Sequence, residues 1–124
     1  MAFEGHGVKL VGGVAGADLS AKQYYAVKHS SSGLVLAGSG EQIAGILQDK
    51  PVLGDPAEVA KGGCGVSKAV VGAAVLKGAE LMSNASGKLV TATSTNRIVA
   101  YAMEAGGADG DIITVDLVNA GTKA

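Results

Sequence analysis

Apolar residues in this chain come in short runs of Val, Ile, Leu and Ala, broken every few residues by glycine, serine or acidic turns. Runs of this length, rich in β-branched residues and bounded by turn formers, predict strands rather than helices. The first half offers them at Val8–Val11, Tyr24–His29, Leu34–Ala37, Ile43–Leu47 and Ala57–Ala60. The second offers Gly65–Val71, Glu80–Ser83, Leu89–Ala92, Arg97–Met103 and Ile112–Leu117. Asp49–Pro56 holds both prolines and reads as a loop or edge segment. The spacing over Ala17–Gln23 admits a short helix, which Gly16 and the following tyrosines oppose. Tyr24-Tyr25, at the head of its run, is expected to send one ring to each face of a strand.

The two halves echo each other. Gly16-Ala17-Asp18-Leu19 is answered by Gly72-Ala73-Ala74-Val75, and Ser32-Gly33-Leu34-Val35-Leu36-Ala37 by Ser86-Gly87-Lys88-Leu89-Val90-Thr91-Ala92. Ile43-Ala44-Gly45-Ile46-Leu47 is answered by Ile98-Val99-Ala100-Tyr101-Ala102, and the offset stays near 55 residues. Two copies are too few for a solenoid. The expected fold is therefore mainly β: a small barrel- or sandwich-like domain with a pseudo-duplicated β unit and at most one or two short helices. Residues 1–9 have no periodicity and are expected to form a flexible N-terminal arm, with a single β-rich domain over residues 10–124.

Composition narrows the functional classes. With one Phe, three Tyr and no Trp, the core must be aliphatic, and 20 glycines serve turns and close backbone approach. A net charge of −1 with scattered Lys and Arg gives no basic surface for nucleic acid. No apolar run reaches membrane-spanning length, and the first residues lack a signal-peptide pattern, so synthesis in a cytoplasm is expected. Cys64 is the only cysteine, which excludes an intrachain disulfide and a thiolate metal cluster.

No residue pattern in the sequence assembles a catalytic constellation. Gly62-Gly63-Cys64-Gly65 superficially resembles a nucleophile elbow, with His29 a conceivable base, but a small packed or turn cysteine is the reading adopted. Gly87-Lys88 is followed by Leu89 and preceded by Met82 where a phosphate loop needs glycine, and Gly38-Ser39-Gly40 fails the dinucleotide fingerprint. Asp109-Gly110-Asp111 reads as a solvated hairpin turn, not a calcium loop. Asn84-Ala85-Ser86 matches a glycosylation sequon, which has no meaning without secretion. No enzyme activity, metal or cofactor is expected.

Several segments in order resemble the capsid cement, or head decoration, proteins of tailed bacteriophages. These are Gly16–Leu19, Tyr25–Val27, Ile43–Leu47, Val70–Lys77 with Gly78-Ala79-Glu80-Leu81, and the closing Arg97–Ala105 with Asp109–Val115. The resemblance spans residues 8–118, and Ala100 stands where that family often has glycine. It implies a structural virion protein that binds the outer surface of an icosahedral shell and cements contacts between major capsid protein subunits. The implied partners are the major capsid protein and further copies of this chain, as homotrimers at three-fold and quasi-three-fold positions. Neither nucleic acid nor membrane is implied, and the place of action is the capsid exterior, after synthesis in a bacterial cytoplasm. The alternative is a host-surface or carbohydrate-binding head module. For contacts with capsid or neighbouring subunits the candidate residues are Phe3, His6, Tyr24 and Tyr25: an apolar anchor on the arm, its neighbour, and a tyrosine pair suited to protein contacts.

Overall fold

A computed structural model describes residues 10–61, 65–118 and 120–123. It contains ten strands and, among the described residues, no helix. They are β1 (Leu10–Val14), β2 (Ala26–Ser30), β3 (Gly33–Leu36), β4 (Gly45–Leu47), β5 (Pro56–Lys61), β6 (Gly65–Val70), β7 (Glu80–Ser83), β8 (Leu89–Thr91), β9 (Ala100–Ala102) and β10 (Ile112–Leu117). Two five-stranded antiparallel sheets result, ordered β1-β5-β4-β2-β3 and β6-β10-β9-β7-β8. The second order is the first with every strand advanced by five, so the sequence echo is a duplicated fold.

The duplication extends to register. Ala26 faces Ile46, which faces Ala60; in the other unit Glu80 faces Tyr101, which faces Asp116. Val14 opposite Pro56 has its counterpart in Val70 opposite Ile112. Each sheet also curls until its edge strands meet, through parallel bridges at Ala15–Leu34 and Val71–Leu89. Joining the edges leaves few unpaired backbone groups in either unit. The matching hairpins turn at Gly33 (φ 123°) and Gly87 (φ 79°), backbone that an L side chain adopts only at a cost.

Aliphatic burial follows this plan. Inside the first unit lie Ala15, Leu19, Val27, Leu34, Leu47, Ala57 and Val59. Their counterparts Val71, Val75, Leu81, Leu89, Ala102, Ile113 and Val115 fill the second unit. That second interior continues into Ala26, Ala37, Ile43, Ile46 and Ala60, so one face of the first sheet packs onto the second unit. A small third cluster, Met82, Ala92 and Ile98, is edged by half-buried Val90, Tyr101 and Val118.

Four expectations are corrected. The Ala17–Gln23 segment is a chain of turns: the Leu19 N–H donates across to Pro51 O (2.9 Å) and the Lys22 N–H back to Leu19 O (3.0 Å). Tyr24 and Tyr25 precede β2 rather than open it, and Tyr24 has φ 69°, so the pair does not alternate across a strand. Arg97 and Ile98 stay outside β9 because their amides point elsewhere: the Arg97 N–H donates to Gly40 O and the Ile98 N–H to Gly121 O. β1 runs past the expected Val8–Val11 through Gly12 and Gly13, opposite Glu58 and Ala57.

Candidate interaction surface

The tyrosine pair sits at the joint between the two units. Tyr24 accepts a hydrogen bond at its carbonyl from the Val70 N–H (3.1 Å) of the second unit and donates its own N–H to Leu47 O (2.7 Å). Its half-buried ring packs on the shared core, with the Lys68 ammonium 5.6 Å from the ring centroid. Tyr25 is flanked by Lys22 at 5.0 Å and Lys88 at 6.0 Å, one cation from each unit. Such cation–π contacts stabilise modestly when solvent reaches them. Both rings thus serve contacts within the chain while keeping part of their surface open. Phe3 and His6, like Cys64, lie outside the described residues.

Around the tyrosines the joint is polar but satisfied. The Ala26 N–H donates to Gly87 O (2.8 Å) and the Gly40 N–H to Ser83 O (2.8 Å). Gln48 donates through Nε2 to the buried Ser67 Oγ (3.0 Å), which itself donates to Lys68 O. Arg97 hydrogen-bonds Gln42 across the same seam. Among the described residues no buried side-chain polar atom lacks a partner, which is what a joint meant to be permanent requires.

Several charged groups serve the fold itself. Lys28 pairs with Glu41 (2.8 Å), whose carboxylate also accepts from the Gly38 N–H. The Lys28 hydrogen bond, then that of Gly38, holds the Glu41 carboxyl below its usual range. Lys88 pairs with Asp109 (2.9 Å), and that hydrogen bond raises the Lys88 ammonium above its ordinary value. Asp111 accepts from the Gly107 and Ala108 amides, so the Asp109–Asp111 segment is the turn the sequence predicted. Asn84 likewise closes its hairpin, accepting from the Ser86 and Lys88 amides. No trio of His, Cys, Asp or Glu that could hold a metal occurs among the described residues.

What the surface offers is apolar and dispersed. Leu53, in the loop before β5, is 67% exposed, and Val52 and Val14 stand exposed at that same end of the first unit. The loop is fixed there by the Gly54 N–H donating to Ala15 O (2.9 Å) and the Ala15 N–H to Asp55 O (2.9 Å). On the second unit Leu76, Met103 and Ile112 are exposed. Single apolar residues of this kind are ordinary on a soluble surface; the group at the first unit's end is the more suggestive of a protein contact.

The fold defined here, two joined five-stranded β units, has a counterpart among solved structures. It matches the crystal structure of the head fiber gp8.5 N base of bacteriophage phi29 with a TM-score of 0.73. The match covers 94% of this chain and 100% of that one at 15% sequence identity, so it is a likeness of fold. No protein-family model matches the sequence, and no curated protein matches it.

Proposed function

We propose that this chain is a structural protein of a tailed-phage head, binding the outer surface of the icosahedral capsid and stabilising contacts between major capsid protein subunits. The observation that carries the reading is the full-length likeness to the phi29 head fiber base, a phage head protein. The ordered resemblance of Gly16–Val115 to capsid cement proteins supports it from the sequence side. A duplicated β domain in which Lys28–Glu41 and Lys88–Asp109 pair internally and Asp111 closes a turn suits a scaffold that binds by shape. Repetition over a symmetric lattice multiplies a modest contact of this kind.

In this reading the protein acts as a homotrimer at three-fold positions, without an enzymatic step. Residues 1–9 serve as an arm, with Phe3 its apolar anchor and His6 beside it, and Tyr24 and Tyr25 contribute the open parts of their rings. Burying one phenylalanine side chain returns about 2 kcal/mol per copy, set against the cost of ordering the arm. The test is to mix the purified protein with undecorated capsids built from the major capsid protein of the same phage. Co-sedimentation and a higher capsid melting temperature are expected, and deleting residues 2–7 should weaken both. Absence of capsid binding, with binding to host cells or their glycans instead, would reverse the assignment in favour of a host-attachment module.

A further inference from the structure

The two units do not meet as the halves of a symmetric pair. The first unit offers the face carrying Ala26, Ile46 and Ala60, and these residues join the second unit's core. The matching face of the second unit carries Glu80, Tyr101 and Asp116, all half-buried at the surface. Conversely, the second unit receives its neighbour with Val70, Ser83 and the Gly87 hairpin. The matching part of the first unit is Val14, His29 and the Ser31–Gly33 hairpin. Val14 is 52% exposed there, and His29, Ser31 and Ser32 are exposed. The contact is head to tail, so one chain carries one filled joint and one unfilled copy of each joint half. A heterologous contact of this kind repeats from molecule to molecule unless something stops it.

Something occupies the unfilled face. At the filled joint, Gly40 has φ 70° and donates its N–H to Ser83 O (2.8 Å) of the neighbouring unit. Its counterpart Thr95 also has φ 70° and donates its N–H to Lys123 O (2.8 Å). Segment 120–123 therefore lies where a docking hairpin would lie. It is held by the Ile98 N–H to Gly121 O and the Lys123 N–H to Asn96 O, both 2.8 Å. A partly exposed ion pair of Lys123 with Glu80 adds to this. Glu80 is the position that Ala26 fills at the joint. Ile98, whose N–H the segment accepts, belongs to the third apolar cluster with Met82 and Ala92, and Tyr101, Val90 and Val118 lie at its rim.

We propose that segment 120–123 is an internal stand-in for a docking hairpin, and that the face beneath it takes the Val14–His29 end of a second copy when the segment lifts. The occupant is a second copy because the chain already carries both halves of this joint and shows them fitted once. Glu80 and Asp116 in place of Ala26 and Ala60 make the second contact more polar, the pattern of a terminal repeat kept soluble by its outer face. This inference stands apart from the capsid reading and needs no phage component.

The test is the full chain carrying Gly121→Val and Lys123→Pro, which deny the segment its φ 79° residue and one of its backbone donors. Sedimentation velocity should show mean mass rising with concentration, to about twice that of the parent chain at the same concentration. Adding Val14→Arg should abolish the rise. Rapid exchange of the Thr95 and Ile98 amides would establish that the segment has lifted. A lifted segment with unchanged mass would overturn the proposal, as would association indifferent to Val14→Arg. Should the double variant unfold, the milder Lys123→Glu, which sets two carboxylates against each other, decides with the same two outcomes.

Discussion

Tyr24 and Thr95 hold left-handed backbone at two positions whose counterparts in the other unit, Gly78 and Gly40, have no side chain. Such a conformation costs an ordinary residue about 1–2 kcal/mol, so each must be held by its surroundings. Tyr24 is held by its hydrogen bonds to Leu47 and Val70 and by its ring on the core; Thr95 is exposed, in a turn whose N–H donates to Lys123 O. The asymmetry predicts opposite outcomes for two exchanges. Thr95→Gly should stabilise by roughly 0.5–1 kcal/mol, since strain relief exceeds the entropy cost of the added glycine. Gly40→Ala should destabilise by about 2 kcal/mol or more. A Cβ there would stand 1.9 Å from Asn96 Oδ1, on the seam between units. Denaturant midpoints of both variants check this. Charge gives a second prediction at this scale. Glu41 is held below its ordinary value of 4.5 by Lys28 and Gly38, so its contribution is present above that value. It is lost as pH falls through the lower folded value. Glu41→Gln should therefore lower stability at neutral pH and flatten the acid limb below about pH 4.5, seen in melting curves taken from pH 7 to 2.

At the scale of elements, the ten strands were legible from apolar runs alone, because each unit buries aliphatic positions in short segments between glycine turns. The echo of Ile43–Leu47 in Ile98–Ala102 was legible too, and it locates β4 and β9. Pairing order was not, since antiparallel neighbours such as β5 and β1 are chosen by long-range packing that no local pattern records. The tyrosine pair was misread because β propensity argued for a strand, while the Tyr25 N–H closes a turn onto Lys22 O and Val70 holds the Tyr24 carbonyl. Gly40 at the joint and its counterpart Thr95 at the open face carry no chemistry that a motif search rewards. A further consequence separates the two copies. β4 approaches β5 so closely that a Cβ on Gly45 would stand 1.9 Å from Ala60 O, whereas the same position in β9 is Ala100. Gly45→Ala should cost at least about 2–3 kcal/mol, because the obstacle is backbone, while Ala100→Gly should cost only about 1 kcal/mol. Paired urea titrations would show whether the units differ as this spacing demands.

At the scale of the whole molecule, the head-to-tail joint makes the two units unequal partners in one stability. The second unit's interior is completed by Ala37, Ile43, Ile46 and Ala60 of the first, while the first unit's interior is closed by its own residues. Loss of the joint would thus open the second core directly, and would bare the fully buried Ile46 to water. Two units sharing a core in this way should unfold together, giving coincident transitions by different probes. The repeat supplies an internal control for that expectation. Ile46 and Tyr101 are register counterparts, one inside the joint and one at the open face. Ile46→Ala should destabilise by about 3 kcal/mol, combining lost transfer energy with a cavity that neighbouring strands cannot close. Because that cavity lies in the shared core, hydrogen exchange should quicken in β10 and β7 as well as in β4 and β5. Tyr101→Ala, at a half-buried site, should cost clearly less and leave protection in the first unit unchanged. If Ile46→Ala instead loosened only the first sheet, or gave two separated transitions, the units would be independent domains touching at a seam, and the completed second core would be wrong.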